Sequence, residues 1–402
     1  MGRGGRAAGA DVFCRRRARR LVAAAAFAVF RAGPAVAAAI ILGGTPGSVW
    51  SAGPTIVDPG QGAFGLVSGS SGAAELSGIT YLGGSAYLAV GDNGAKALWQ
   101  VSVTLDRVTG RITTAAVSGS VPAPGLGSDS EGIAYRATTG SVFVADEVAS
   151  TIGQFDVVGG GTLAPVTVPA IYAPANVQGN FGLEALAWGA GGLWTANEEA
   201  LLPDGPLSTT TAGSWVRIQR FGAGLAADGQ WAYRTDPISA LSSLTTAERS
   251  GVVDVLPWTA TTLLVLEREF GGALPAFRSR LYGVDIGSGS DVTAVAALSG
   301  GGFTPLTKTL LWERSFSALA PANFEGMTFG PTLDDGRQSL LLVSDNGGGT
   351  RQDLYALVVV PEPATVVLVA AALAVGAGWR RLAGRRRQAR EAGDRTGGGG
   401  AA

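Results

Sequence analysis

The chain has 402 residues, 62 of them Gly and 46% hydrophobic, which is enough for a folded body with a substantial core and too apolar for a disordered protein. It has no His and a single Cys, Cys14, so Ser-His-Asp and Cys-His catalysis, His-ligated zinc and internal disulfides are excluded. The net charge of −1 hides a separation: 8 of the 30 basic residues precede Ile40 and 7 lie from Arg380 onward, leaving 15 against 28 acids between them. That puts the body near −13, a balance that argues against nucleic acid and favours cations or a solvated acidic surface.

At the N-terminus five arginines crowd Arg15 to Arg20, an apolar run follows from Leu21 to Phe30, and small residues follow from Ala35 to Ala39. This order predicts a signal peptide, as a helix over residues 1–39 with cleavage near Ala39, and export from the cytoplasm. Residues 40–74 read as a lead-in containing a first strand.

From Glu75 to Val359 five segments share one shape: Leu76 to Asn93, Ser130 to Glu147, Leu183 to Glu199, Gly251 to Arg268 and Phe324 to Asn346. Each begins with a small or acidic residue ahead of a short apolar strand, turns through Gly-rich residues, and runs a second apolar strand into a carboxylate. Such repetition predicts an all-β propeller over 75–359, each second strand being buried between neighbouring blades. The lengthening intervals predict six or seven blades with insertions. A β-sandwich would instead show apolar and polar residues in alternation. Helical signal inside the body is confined to Ser239 to Arg249.

Residues 360–390 form a separate tail. Val360-Pro361-Glu362-Pro363 precedes an uncharged apolar run over 364–379, then Arg380, Arg381 and Arg385 to Arg387. The run predicts a single transmembrane helix with its basic end in the cytoplasm. The order of triplet, helix and arginine cluster resembles the PEP-CTERM sorting signal. That resemblance implies a membrane anchor, a sorting protease of the exosortase type as partner, and a destination in the cell envelope or extracellular matrix. Residues 391–402 read as a disordered Gly-rich tail.

In a propeller, equivalent positions of the repeats meet around one axis. Glu131, Glu184 and Glu325 open their repeats; Asp92, Asp146 or Glu147, Glu198 or Glu199, Glu267 and Asp345 close theirs. Converging carboxylates repel one another unless a cation sits among them. With oxygen ligands alone on offer, Ca2+ is the expected ion, held by Asp92, Glu131, Glu147, Glu184, Glu199, Glu267, Glu325 and Asp345.

The run of motifs, Leu76 to Ile79, Asp129 to Ile133, Asn180 to Glu184, Asn197 to Glu199, Leu264 to Arg268, Thr307 to Leu311, Asn323 to Met327 and Leu342 to Asn346, resembles the esterase-like phytase family. The resemblance spans about Glu75 to Val359 and implies a phytase-like propeller domain of an exported protein. Two functions then compete. One is a calcium-dependent phosphoester hydrolase without a covalent intermediate, in which Arg268 and Lys308 offset transition-state charge. The other is a calcium-stabilised propeller that binds polysaccharide or a matrix partner without catalysis, with Trp188, Trp194, Trp215, Trp231 and Trp258 as candidate stacking platforms. An esterase acting on carboxylic esters lacks a His base.

Overall fold

The computed structural model describes residues 54–67, 72–92, 94–241, 246–272, 276–316, 322–345, 347 and 352–361. The expected signal segment 1–39, the expected transmembrane segment 364–379 and the expected Gly-rich tail 391–402 lie outside the described residues. No helix among the described residues is long and apolar enough to cross a membrane.

The chain enters with two short strands, β1 (Thr55–Val57) and β2 (Phe64–Leu66), and then builds blade after blade. Blade one holds β3 (Leu76–Gly83), β4 (Ala86–Gly91), β5 (Ala97–Leu105) and β6 (Ile112–Pro122); blade two holds β7 (Ser130–Arg136), β8 (Ser141–Asp146) and β9 (Thr151–Asp156). Blade three holds β10 (Leu183–Gly189), β11 (Gly192–Asn197), β12 (Trp215–Phe221) and β13 (Ala227–Arg234). Blade four holds β14 (Arg249–Pro257), β15 (Thr262–Gly271), β16 (Ala276–Asp285) and β17 (Thr307–Phe316). Blade five holds β18 (Asn323–Thr332), β19 (Gln338–Asp345) and β20 (Gln352–Val360), and β1 and β2 pair with β20 to close the ring.

The ring therefore has five blades, where six or seven were expected. Each of the five sequence repeats is one blade, and the longer intervals come from length added within and between them. Residues 157–182 separate blades two and three, and residues 286–306 lie between β16 and β17, themselves ten residues each. Blade two lacks a regular fourth strand; residues 161–166 run beside β9 in its place, Leu163 N–H donating to the Gln154 carbonyl (2.7 Å) and Val166 N–H to that of Ile152 (3.0 Å). Ser239 to Arg249 is not helical where it is described: Ala240 bridges to Thr246 and Arg249 opens β14.

The second strands are buried along almost their whole length, as their uninterrupted apolar runs require. Between blades the side chains interdigitate, with Phe143 stacked on Trp188 across blades two and three at 5.8 Å between ring centroids. Burying each such large apolar side chain contributes roughly 1.5–3 kcal/mol.

Innermost strands leave backbone donors without a ladder partner, and buried donors need one. Three side chains supply the acceptors by reaching between blades. Thr80 Oγ1 accepts from Tyr135 N–H at 3.0 Å, and Thr328 Oγ1 from Tyr81 N–H at 3.2 Å. Asp254 accepts from both sides, from Met327 N–H at 2.6 Å and Leu186 N–H at 3.3 Å. All five inner strands are thus linked around the axis.

Candidate metal and anion site in the central cavity

Every inner strand carries a β-bulge at one equivalent place. Pairing slips between Leu76 and Gly78, Ser130 and Ile133, Leu183 and Ala185, Val252 and Asp254, and Phe324 and Gly326. The extra residue is Ser77, Glu131, Glu184, Val253 or Glu325 in blades one to five. A bulge re-aims a side chain, and here it turns three glutamates into the central cavity. In blades one, two and five the residue after the bulge packs against the next blade and must be small. A Cβ on Gly132 would lie 2.6 Å from the Leu186 backbone nitrogen, and one on Gly78 or Gly326 would collide with the carbonyl of Glu131 or Ser77. Ala185 fits where blades one, two and five have glycine, and blade four has Asp254 there, whose carboxylate takes up neighbouring backbone N–H groups.

A second ring follows from register. The residue opposite the start of each bulge is Gly91, Asp146, Asn197, Glu267 or Ser344, and the next residue along the chain is Asp92, Glu147, Glu198, Arg268 or Asp345. All five of these following residues line a cavity of about 260 Å³ together with Glu131, Glu184 and Glu325. Seven carboxylates thus face one space, with two cations, Arg268 and Arg249.

The two sides of the cavity differ. Arg268 bridges Glu198 (3.0 Å) and Glu325 (2.9 Å), so the side formed by blades three to five carries its own counter-charge. On the other side, ligand oxygens of Asp92, Asp129 and Glu131 lie within 4.8 Å of one another, as do those of Glu131, Glu147 and Glu184, and Glu131 belongs to both sets. Glu147 accepts one backbone bond, from Gly182 N–H at 2.9 Å. Glu184, only 5% exposed, faces four other glutamates and no cation within bonding distance among the described residues.

Electrostatics record that imbalance. Burial, then repulsion from neighbouring carboxylates, holds Glu131 and Glu184 well above the usual carboxylate range. The same causes push Glu147 up to about 10 and Asp92 up to about 7. Burial also raises Glu198 to about 7 and Glu325 to about 8, although Arg268 pulls both down. Carboxylates gathered this way gain from a divalent ion, and hard oxygen donors in flexible geometry suit Ca2+.

Residues 71–348 match the family model described as phytase-like, with esterase-like activity of phytase. The chain belongs to this phytase-like family. No curated protein matches it. Among solved structures, the phytase-like chain is 14% identical to the PQQ-bound aldose sugar dehydrogenase of Streptomyces coelicolor, covering 74% of this chain and 98% of that one at a TM-score of 0.35. It is 9% identical to the glutaminyl cyclase of Myxococcus xanthus, covering 77% and 98% at 0.31. With the hydrazine synthase of Kuenenia stuttgartiensis the identity is 11% over 70% of this chain at 0.32, and the chain spans 58% of that protein's length.

Of the residues singled out from sequence, the phytase-like propeller brings Asp92, Glu131, Glu147, Glu184, Glu325, Asp345 and Arg268 to the cavity. Glu199, Glu267 and Lys308 are not among its lining residues. Glu267 is one place before Arg268 in β15, and alternation along a strand sends it to the opposite face. There it accepts from Tyr233 O–H (2.6 Å) and Asp236 N–H (3.0 Å) and pairs with Lys308 (2.6 Å). Lys308 also pairs with Asp236 (2.7 Å) and lies 4.2 Å from the Tyr282 ring centroid, an arrangement that ties blades three and four together. Glu199 accepts from Ser208 N–H at 2.7 Å, while its neighbour Glu198 enters the cavity.

Sequence reasoning passed over Asp129, Asn180 and Arg249 as site residues. Asp129 and Asn180 stand inside the family motifs, and Asn180 hydrogen-bonds Asp129. Arg249 has no motif to mark it; it reaches the cavity because β14 begins beside the mouth.

Proposed function

We propose that this phytase-like propeller is an exported, calcium-dependent phosphoester hydrolase that acts without a covalent intermediate and is held at the cell envelope by its C-terminal tail. The observation that carries the reading is the pair of carboxylate sets sharing Glu131, every member but Asp129 lining one cavity. A calcium ion held there would supply Lewis acidity for attack on a phosphoester. Asp92, Asp129, Glu131, Glu147 and Glu184 would hold the ion. Arg268 fixes Glu198 and Glu325 and keeps that side from competing for it. The absence of His and of any Cys beyond Cys14 supports a route without a thiolate or an imidazole-activated nucleophile. Export draws its support from the basic, apolar and small-residue order of residues 1–39, and anchoring from the segment 360–390.

The non-catalytic binding reading finds less support. Arg136 lies 4.5 Å from the Trp188 ring centroid and Arg234 lies 4.8 Å from that of Trp215, and Trp194 is buried, so these rings are not open platforms for sugars. The deciding experiment is hydrolysis of a phosphoester panel by the full chain with calcium and with chelator. Turnover that needs calcium supports the hydrolase; calcium binding with no turnover on any ester rejects it and leaves a binding module.

A further inference from the structure

The two arginines of the cavity are in different states. Arg268 has a 12% exposed side chain and is held by two carboxylates. Arg249, at the start of β14, is exposed and lines the same cavity. Its guanidinium carbon lies 4.9 Å from the centroid of the Phe181 ring, and its Nη1 donates to the Glu248 backbone carbonyl at 3.0 Å. Among the described residues it forms no ion pair. A guanidinium stacked on an aromatic ring keeps its planar N–H edge available and pre-oriented, which is the geometry that grips a phosphoryl group through two parallel bonds.

An anion approaching Arg249 also meets seven acidic side chains, whose negative charge grows as they give up their protons. Each carboxyl that loses its proton there repels an entering anion through the same low-dielectric space in which Arg249 attracts it, so one guanidinium cannot offset the acids as they ionise. Neutralising those acids with a divalent ion removes the repulsion and adds a second positive centre facing the same ligand.

We propose that the cavity mouth is a phosphoryl-binding subsite built on Arg249, and that it fills only after a divalent cation has occupied the carboxylates beneath it. The proposal rests on the calcium reading given above and adds to it an order of binding and a residue that meets the ligand. Arg268, already bound on two sides, holds carboxylates in place; Arg249 recognises the anion. Linkage makes the coupling reciprocal, so a bound phosphoryl compound tightens calcium by the same factor that calcium tightens it.

The test is calorimetric titration of the full chain with methylphosphonate, a probe that cannot be hydrolysed, in chelator and at saturating calcium. The expected result is binding only in the presence of calcium, tighter than that of acetate, and weakened about tenfold or more by Arg249→Gln, which loses charge-assisted hydrogen bonds to the anion. Calcium affinity measured without phosphonate should hold or rise in that variant, since one positive charge leaves the cavity. Equal methylphosphonate binding by wild type and Arg249→Gln, binding undiminished in chelator, or no preference over acetate would each overturn the subsite. Failure of the underlying reading is distinguishable, because wild type would then show no calcium binding at all.

Discussion

Glu267 and Arg268 are adjacent in β15 and face opposite ways, Arg268 into the acidic cavity and Glu267 toward Lys308. One step of strand alternation thus separates a residue of the candidate site from a structural ion pair. Blade four is the only blade whose second-ring position holds a cation.

That separation predicts different outcomes for two substitutions. Lys308→Met leaves Glu267 buried without its cation and should destabilise the fold by about 3–5 kcal/mol. It should leave calcium affinity of the folded fraction unchanged. Chemical denaturation and calcium titration of the same preparation check both halves, and a lost calcium site would contradict the assignment of Lys308 to structure.

Calcium should raise the melting temperature of the wild-type chain, since a ligand bound to the native state alone stabilises it by about 2.7 kcal/mol at a hundred times its Kd. Glu131 belongs to both ligand sets, so Glu131→Gln should remove most of that rise. Glu325→Gln should remove less, because Glu325 already pairs with Arg268. Equal losses in the two variants would mean that the ion sits on the axis and not on the side of blades one to three.

The pH dependence follows from the raised carboxylates. Between the ordinary range near 4 and their folded values, about 7 for Asp92 and Glu198, about 8 for Glu325 and about 10 for Glu147, the folded chain binds more protons than the unfolded one. Stability in chelator must therefore fall as pH rises from about 5 to 9. Asp58 and Asp236, both held low, oppose this only at the acidic end of the scale. Calcium competes with those protons, so its stabilising shift should grow over the same interval. Melting curves at several pH values, with chelator and with calcium, supply the check; a flat chelator series would show that neither burial nor mutual repulsion raises these acids in the folded chain.

The residue behind each bulge offers a steric test. Gly132→Ala places a methyl 2.6 Å from Leu186 and 2.8 Å from the Glu184 carbonyl oxygen. Overpacking there should destabilise by about 1–3 kcal/mol and weaken calcium binding, because Glu131 and Glu184 move with the backbone. Ala185→Gly, at the equivalent place in blade three, should leave calcium affinity unchanged. Denaturation midpoints and calcium titration of both variants decide it.

Much of this was legible in the sequence because repetition carries geometry. The carboxylate opening three repeats was enough to put Glu131, Glu184 and Glu325 on a common ring, and the long apolar runs marked the buried second strands. Bulges were not visible, since one extra residue leaves no compositional mark. Without them Glu267 could not be told from Arg268, nor Glu198 from Glu199, because each choice turns on a single step of strand parity. Blade number was misjudged for a different reason: outer strands and the 157–182 and 286–306 segments carry no repeat signature, and their length imitated missing blades. Lys308 drew notice as one of only two lysines, yet rarity says nothing about direction, and its side chain turns to Asp236 and Glu267.

The closure of blade five has a mechanical consequence. Thr55 opposes Val360, and β1 runs antiparallel to β20 over three residue pairs, so the two ends of the propeller emerge at the same point. Tension applied between Thr55 and Val360 would load these pairs one after another, as a zipper opens, and not all at once in shear. A pull shared between one of these ends and a distant blade would load the ladder along its length. The ring is thus easiest to open by drawing its own two ends apart, and a protein tethered at the Val360 end alone would leave that seam unloaded.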